Sequence, residues 1–121
     1  MVTAGGADPW GIIASGPNSS YPHYLGTERV VQEKDLMILD FGCTYNGLFS
    51  DMSRTVFVGG ITDEERKIYE IVLRANKAGE AAAVNGAFIP DVDNAARSII
   101  AAEGYGDTFI NRLGHGIGYM V

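Results

Sequence analysis

The stretch that decides the fold is Leu36-Met37-Ile38-Leu39-Asp40-Phe41-Gly42-Cys43-Thr44-Tyr45-Asn46-Gly47-Leu48-Phe49-Ser50-Asp51-Met52-Ser53-Arg54-Thr55-Val56-Phe57-Val58. Its first half is a continuous apolar run, the pattern of a strand buried on both faces. Asn46-Gly47 is the strongest short hairpin signal in the chain, because a two-residue turn of the favoured hand needs positive φ at both positions. Leu48–Val58 reads as the return strand, ended by Gly59-Gly60. If Asn46 and Gly47 are the two turn residues, residues whose numbers sum to 93 face each other. Asp40 then stands opposite Ser53. Asp51, two residues from Ser53, becomes its diagonal neighbour on the same face, with Cβ atoms within about 7–8 Å.

Two carboxylates that point together need a proton or a cation between them. A divalent metal meets that need without raising either pKa. The competing reading neutralises the pair with Arg54 or Arg29, and Arg54 falls on the other face of an ideal strand. Asp40 alone also reads as a strand-end aspartate bonded to its turn.

Ser15-Gly16-Pro17-Asn18-Ser19-Ser20-Tyr21-Pro22-His23 reads as a turn or ordered loop. A short strand over Ile12–Ala14 precedes it. Val2–Ala7 reads as loop. The stiff loop around His23 suits a group held at the mouth of a pocket, with a plain surface histidine as the alternative.

Beyond the hairpin, Thr62 and Glu65 form a capping box for a helix. Its apolar stripe is Ile68, Ile71, Val72, Ala75 and Ala82, with Glu70 and Arg74 paired on the solvent face and Asn85-Gly86 as the stop. A second helix follows Pro90. Asp91 is its expected cap, Val92, Ala95, Ala96, Ile99 and Ile100 its stripe, and Gly104 its stop. Alanine on the inner side of both helices suits close packing on a sheet. Antiparallel strands followed by covering helices give an α+β fold.

The last segment, Gly114-His115-Gly116-Ile117-Gly118, leaves an imidazole unshielded by its neighbours. Such a histidine is either a turn residue or a group that something approaches closely. Asp40, Asp51 and His115 together make a plausible partial site for an oxygen-preferring metal. The glycines do not form a phosphate loop, since the Gly-x-Gly-x-x-Gly order and a Walker lysine are both missing. Tyr105 and Phe109 read as core or rim aromatics rather than a stacking platform.

Composition narrows the classes further. The chain has 121 residues, at most one domain's worth, with 46% apolar and 20% charged residues, which is ordinary for a soluble globular protein. Its net charge of -6, with no basic cluster, argues against a nucleic-acid partner. Cys43 is the single cysteine, so no internal disulfide framework forms. No apolar run approaches a membrane span, and no basic-then-apolar leader opens the chain. The expectation is a soluble, cytoplasmic protein.

These motifs carry a resemblance. Ala14-Ser15-Gly16-Pro17-Asn18 with Pro22-His23, Asp40-Phe41-Gly42, Ser50-Asp51-Met52-Ser53-Arg54-Thr55, Gly104-Tyr105-Gly106 and Gly114-His115-Gly116-Ile117-Gly118 are similar to the metallopeptidase family that contains Xaa-Pro aminopeptidase, Xaa-Pro dipeptidase (prolidase) and methionine aminopeptidase. The Ser-Asp-Met-Ser-Arg-Thr form looks closer to the Xaa-Pro enzymes. The resemblance implies the pita-bread α+β fold, two similar halves around a curved antiparallel sheet. It implies that Asp40 binds one metal of a pair, Asp51 bridges both and His115 is a further ligand. It implies that His23, not a ligand, steadies the substrate or its tetrahedral intermediate. The metals would be two divalent ions, manganese first, with cobalt or zinc as alternatives. The substrates would be short peptides with proline at the second position.

Relatives continue to a second substrate-side histidine and two glutamate ligands, and begin with helices that precede the Pro22-His23 loop. Residues 1–121 therefore read as a partial catalytic domain, missing its first helices and its C-terminal part. Asn111 stands where many Xaa-Pro enzymes carry histidine, and Asn85 where proline is common before Gly86. A methionine aminopeptidase, a creatinase-like hydrolase and a catalytically inactive binding module are the rival readings. Alone, the chain is expected to be inactive and to aggregate or pair with a missing segment or a second copy as a homodimer.

Overall fold

The computed structural model describes residues 2–26 and 28–121. It divides into two compact units, residues 1–61 with 116–121, and residues 62–115. The first is an antiparallel sheet and the second a helical pair, the α+β order expected.

In the sheet unit, β1 (Ala7–Ser15), β2 (Leu36–Tyr45), β3 (Leu48–Phe49) and β4 (Met52–Phe57) all pair through β2. β1 lies along one side of β2, while β3 and β4 follow each other along the other. Asn46 and Gly47 have φ of 50° and 79°, the pair of positive values a tight hairpin requires. The expected register holds throughout: Thr44 faces Phe49, Asp40 faces Ser53 and Leu36 faces Phe57.

Two details differ from the sequence reading. β1 extends back to Ala7, where loop was expected. A register shift between Ala7 and Trp10, with Asp8 at φ 45°, takes up Pro9, which has no N–H to give to a ladder. The return strand is also interrupted at Ser50-Asp51 without a change of register. The cause is one hydroxyl. Ser50 still donates its backbone N–H to the Cys43 carbonyl at 2.8 Å. The Cys43 N–H, however, goes to Ser50 Oγ at 3.0 Å. Released from the ladder, the Ser50 carbonyl turns over Gly42, onto the spot a Cβ there would occupy, with the Trp10 indole beside it. Gly42 is two residues from Asp40 on one strand, so it shares Asp40's face. Glycine is required at position 42 because the chain crosses that face there.

The connection from β1 to β2 opens with a short 3-10 turn, Gly16–Ser20, and carries His23. An ion pair closes its base. Arg29 holds the buried Asp35 through both nitrogens, at 2.5 and 2.8 Å, and donates to Ser15 Oγ at 2.8 Å. The Gln32 N–H adds a bond to Asp35 at 2.7 Å.

In the helical unit, α1 (Asp63–Ala82) opens with the capping box: Glu65 N–H donates to Thr62 Oγ1 at 3.2 Å and Thr62 N–H to Glu65 at 2.8 Å. α1 ends at Ala82, three residues before Asn85-Gly86. α2 spans Ile89–Ala102 and takes Pro90 into its first turn. Proline fits there because the first N–H groups of a helix have no partner to lose. Phe88, not Asp91, is therefore the cap residue. Gly104, at φ 87°, ends α2: its N–H bonds the Ala101 carbonyl and the Tyr105 N–H reaches Ile100, a Schellman closure.

The core of this unit is Ile71 and Ala75 of α1 against Ala96 and Ile100 of α2, with Ile99, Tyr105, Phe109 and Leu113 packed around it. Small residues let the helices approach closely, and Gly79 leaves room for the Leu113 side chain. Ile68 and Val72, expected in the buried stripe, are 37% and 50% exposed. They sit beside the helix–helix contact rather than in it. Arg74 pairs with Glu103 at 2.6 Å instead of with Glu70, tying α1 to the end of α2. Among the described residues no helix is long and apolar enough to cross a membrane.

Candidate metal centre

Asp40 is half-buried in the middle of β2, held by ladder bonds on both sides, with Ile12 of β1 and Ser53 of β4 as its partners. Ser53 Oγ donates to Asp40 Oδ1 at 2.7 Å. That bond orients the carboxylate along the sheet face and takes one of its two oxygens. Asp51 is half-buried and stands one residue before β4, directly after the Ser50 carbonyl crosses the Asp40 face. The strand break thus lies directly before Asp51.

Arg29 is committed to Asp35. The Arg29 guanidinium and the Gln32 N–H hold the Asp35 carboxyl below the usual carboxylate range. Arg54 faces Leu39, on the sheet face opposite Asp40, and donates to the Ser53 carbonyl at 2.7 Å. A salt bridge from Arg29 is therefore not what neutralises the aspartates.

His23 is exposed in the connection that Arg29 and Asp35 close. His115 is exposed at the end of the helical unit, between glycines whose missing Cβ atoms face open space. Among the described residues no three His, Cys, Asp or Glu side chains come together to hold a metal. What the chain presents is two half-buried aspartates in one unit and an exposed imidazole in the other. Carboxylate and imidazole donors suit a divalent cation of the manganese, cobalt or zinc type.

One supporting group escaped the sequence reading. Asp93 and Arg97 bond to each other and to the backbone of residues 109–113, the stretch that leads to His115. Their spacing on a helix was the available signal, since an acid four residues before a base on one face forms a pair.

Comparison with known proteins shows the family. Residues 1–121 match the family described as metallopeptidase family M24. The chain is 45% identical over 110 residues to an Xaa-Pro dipeptidase of Pyrococcus furiosus, covering 91% of this chain and 32% of that protein. It superposes on the prolidase structure from Pyrococcus furiosus with a TM-score of 0.96 at 41% identity, over 100% of this chain and 36% of that one. Against an X-Pro aminopeptidase from Thermotoga maritima the TM-score is 0.85 at 38% identity, over 92% and 31%. The chain spans about a third of the length of the relatives it matches.

Proposed function

The chain belongs to metallopeptidase family M24, and from that membership we propose that the full-length protein hydrolyses the bond between an N-terminal residue and a following proline. Its substrates are short peptides with proline second, and its setting is the cytoplasm. The observation that supports this reading is the register, which pairs Asp40 with Ser53 and leaves Asp51 two residues further back along the chain. That arrangement occurs in a chain similar to a prolidase over its whole length.

Asp40, Asp51 and His115 are the residues of this chain that would hold two divalent ions, manganese foremost. Such ions, when bound, supply a water acidic enough to attack at neutral pH and a Lewis acid for the scissile carbonyl. Asp40 is kept in one orientation by Ser53. Asp51 brings a second carboxylate to the same face. His23 donates a hydrogen bond to the substrate, and its loop is fixed at the base by Arg29 and Asp35.

The test is hydrolysis of an Xaa-Pro dipeptide and a longer Xaa-Pro peptide by the full-length protein with Mn2+, beside its Asp51→Asn variant. The wild type should cleave at least one of them and the variant neither. Unchanged cleavage by Asp51→Asn would remove Asp51 from the machinery.

A further inference from the structure

We propose that Asp93 and Arg97, one turn apart on α2, are positioning residues for His115: they clamp the irregular run 109–113 and so fix where the Gly114-His115-Gly116 segment leaves the helical unit. The inference rests on the reading of His115 as a metal ligand. It asks what holds that imidazole in place.

Asp40 needs no such device, because a ladder on each side fixes its backbone. The run before His115 has no regular structure of its own. Three of its main-chain groups are instead taken by two side chains. Arg97 donates to the Phe109 carbonyl through Nη1 and to the Asn111 carbonyl through Nη2, each at 2.8 Å. Asp93 Oδ1 accepts the Leu113 N–H at 2.7 Å. The two side chains also lock each other, with Arg97 Nε 2.7 Å from Asp93 Oδ2. The guanidinium lies 4.4 Å from the centroid of the Phe109 ring, adding a cation–π contact to the same clamp.

The last bond made by Asp93 and Arg97 falls two residues before His115. Beyond it comes Gly114, which has the greatest backbone freedom of any residue. The clamp thus fixes the backbone from which the Gly114-His115-Gly116 segment departs. An isolated ion pair on a helix would do none of this. Asp93 and Arg97 are arranged so that their remaining hydrogen-bonding capacity is spent on the segment. Metal centres depend on such supporting groups, whose loss typically weakens metal affinity or activity by about 10–100-fold.

The experiment uses the full-length protein, with Co2+ binding followed by visible absorption and hydrogen exchange followed at residues 110–116. Asp93→Ala and Arg97→Ala should each weaken Co2+ binding by about 10–100-fold and speed exchange in that segment. Asp93→Asn should recover part of the affinity, because its amide oxygen still accepts the Leu113 N–H. Arg74→Ala removes a different ion pair of the same unit and should leave Co2+ affinity unchanged. Faster exchange with wild-type Co2+ affinity in both Asp93→Ala and Arg97→Ala would overturn the proposal, leaving the pair a purely structural brace. Failure of the underlying reading looks different: wild type and His115→Ala would then bind Co2+ alike, and the proposal falls with it.

Discussion

The two units hold their chemistry in place by opposite means. In the sheet unit the backbone does the work. Asp40 is fixed by the register of three strands, and among the described residues few side chains are buried: Ala14, Ser15 and Asp35, with Gly42 beneath the crossing chain. In the helical unit side chains do the work. Ile71, Ala75, Ala96 and Ile100 make the core, and Asp93 and Arg97 bind the run that ends at His115. A ladder specifies position through spacing alone, so a residue in it can be placed by arithmetic. A clamp specifies position through particular atoms, so it can be lost by changing one of them.

This contrast can be broken at several points. The largest effect should come from Asp40→Ala in the full-length protein, which removes a carboxylate that no neighbour replaces. Xaa-Pro hydrolysis should fall by about a thousandfold or more, equivalent to about 4 kcal/mol in the barrier. Ser53→Ala, measured alongside, should cost about tenfold, since it removes only the orienting bond. Next, Ile71→Ala opens a hole between the helices and should destabilise the helical unit by about 2–5 kcal/mol in urea melts. Gly42→Ala should strike the other unit. Its methyl group meets the Ser50 carbonyl and the Trp10 ring, a forced overpacking worth about 1–3 kcal/mol. Hydrogen exchange should then quicken in β2 and β4 while α1 and α2 keep their protection.

Thr62→Ala removes half of the capping box and should cost about 1 kcal/mol, read in the same melts. The gentlest probe is pH. Asp35 has its carboxyl lowered by Arg29 and by the Gln32 N–H, so its contribution is complete above the unfolded carboxylate value of about 3.9 and is lost as pH falls through the folded value. Melts of the wild type should therefore weaken more steeply below pH 4 than those of Asp35→Asn.

Much of the sheet was legible because its determinants are local. Asn46-Gly47 set the turn, the turn set the register, and the register put Ser53 opposite Asp40. The capping box at Thr62 was legible for the same reason. What escaped depends on atoms rather than spacing. Nothing in the pattern of Leu48–Val58 says that the Ser50 hydroxyl will displace its own carbonyl from the ladder and split the strand. Arg29 was legible as a charge near two aspartates, but its partner, Asp35, is chosen by how a long connection closes. The α1 stripe showed which residues are apolar, not which of them meet α2, and so Ile68 and Val72 were misplaced. Asp93 and Arg97 went unread, although their i, i+4 spacing on a helix is the signature of a pair. Their reach to residues 109–113 is tertiary and has no signature in sequence.

The central claim is that Asp40, Asp51 and His115 hold divalent metal in the full-length protein. Calorimetric titration with Mn2+ of the wild type and of Asp51→Asn tests it most directly. The account predicts two ions per chain in the wild type and a loss of stoichiometry or affinity in the variant, because Asp51 would supply one of the carboxylates that hold them. Equal stoichiometry and equal affinity in the two proteins would contradict it.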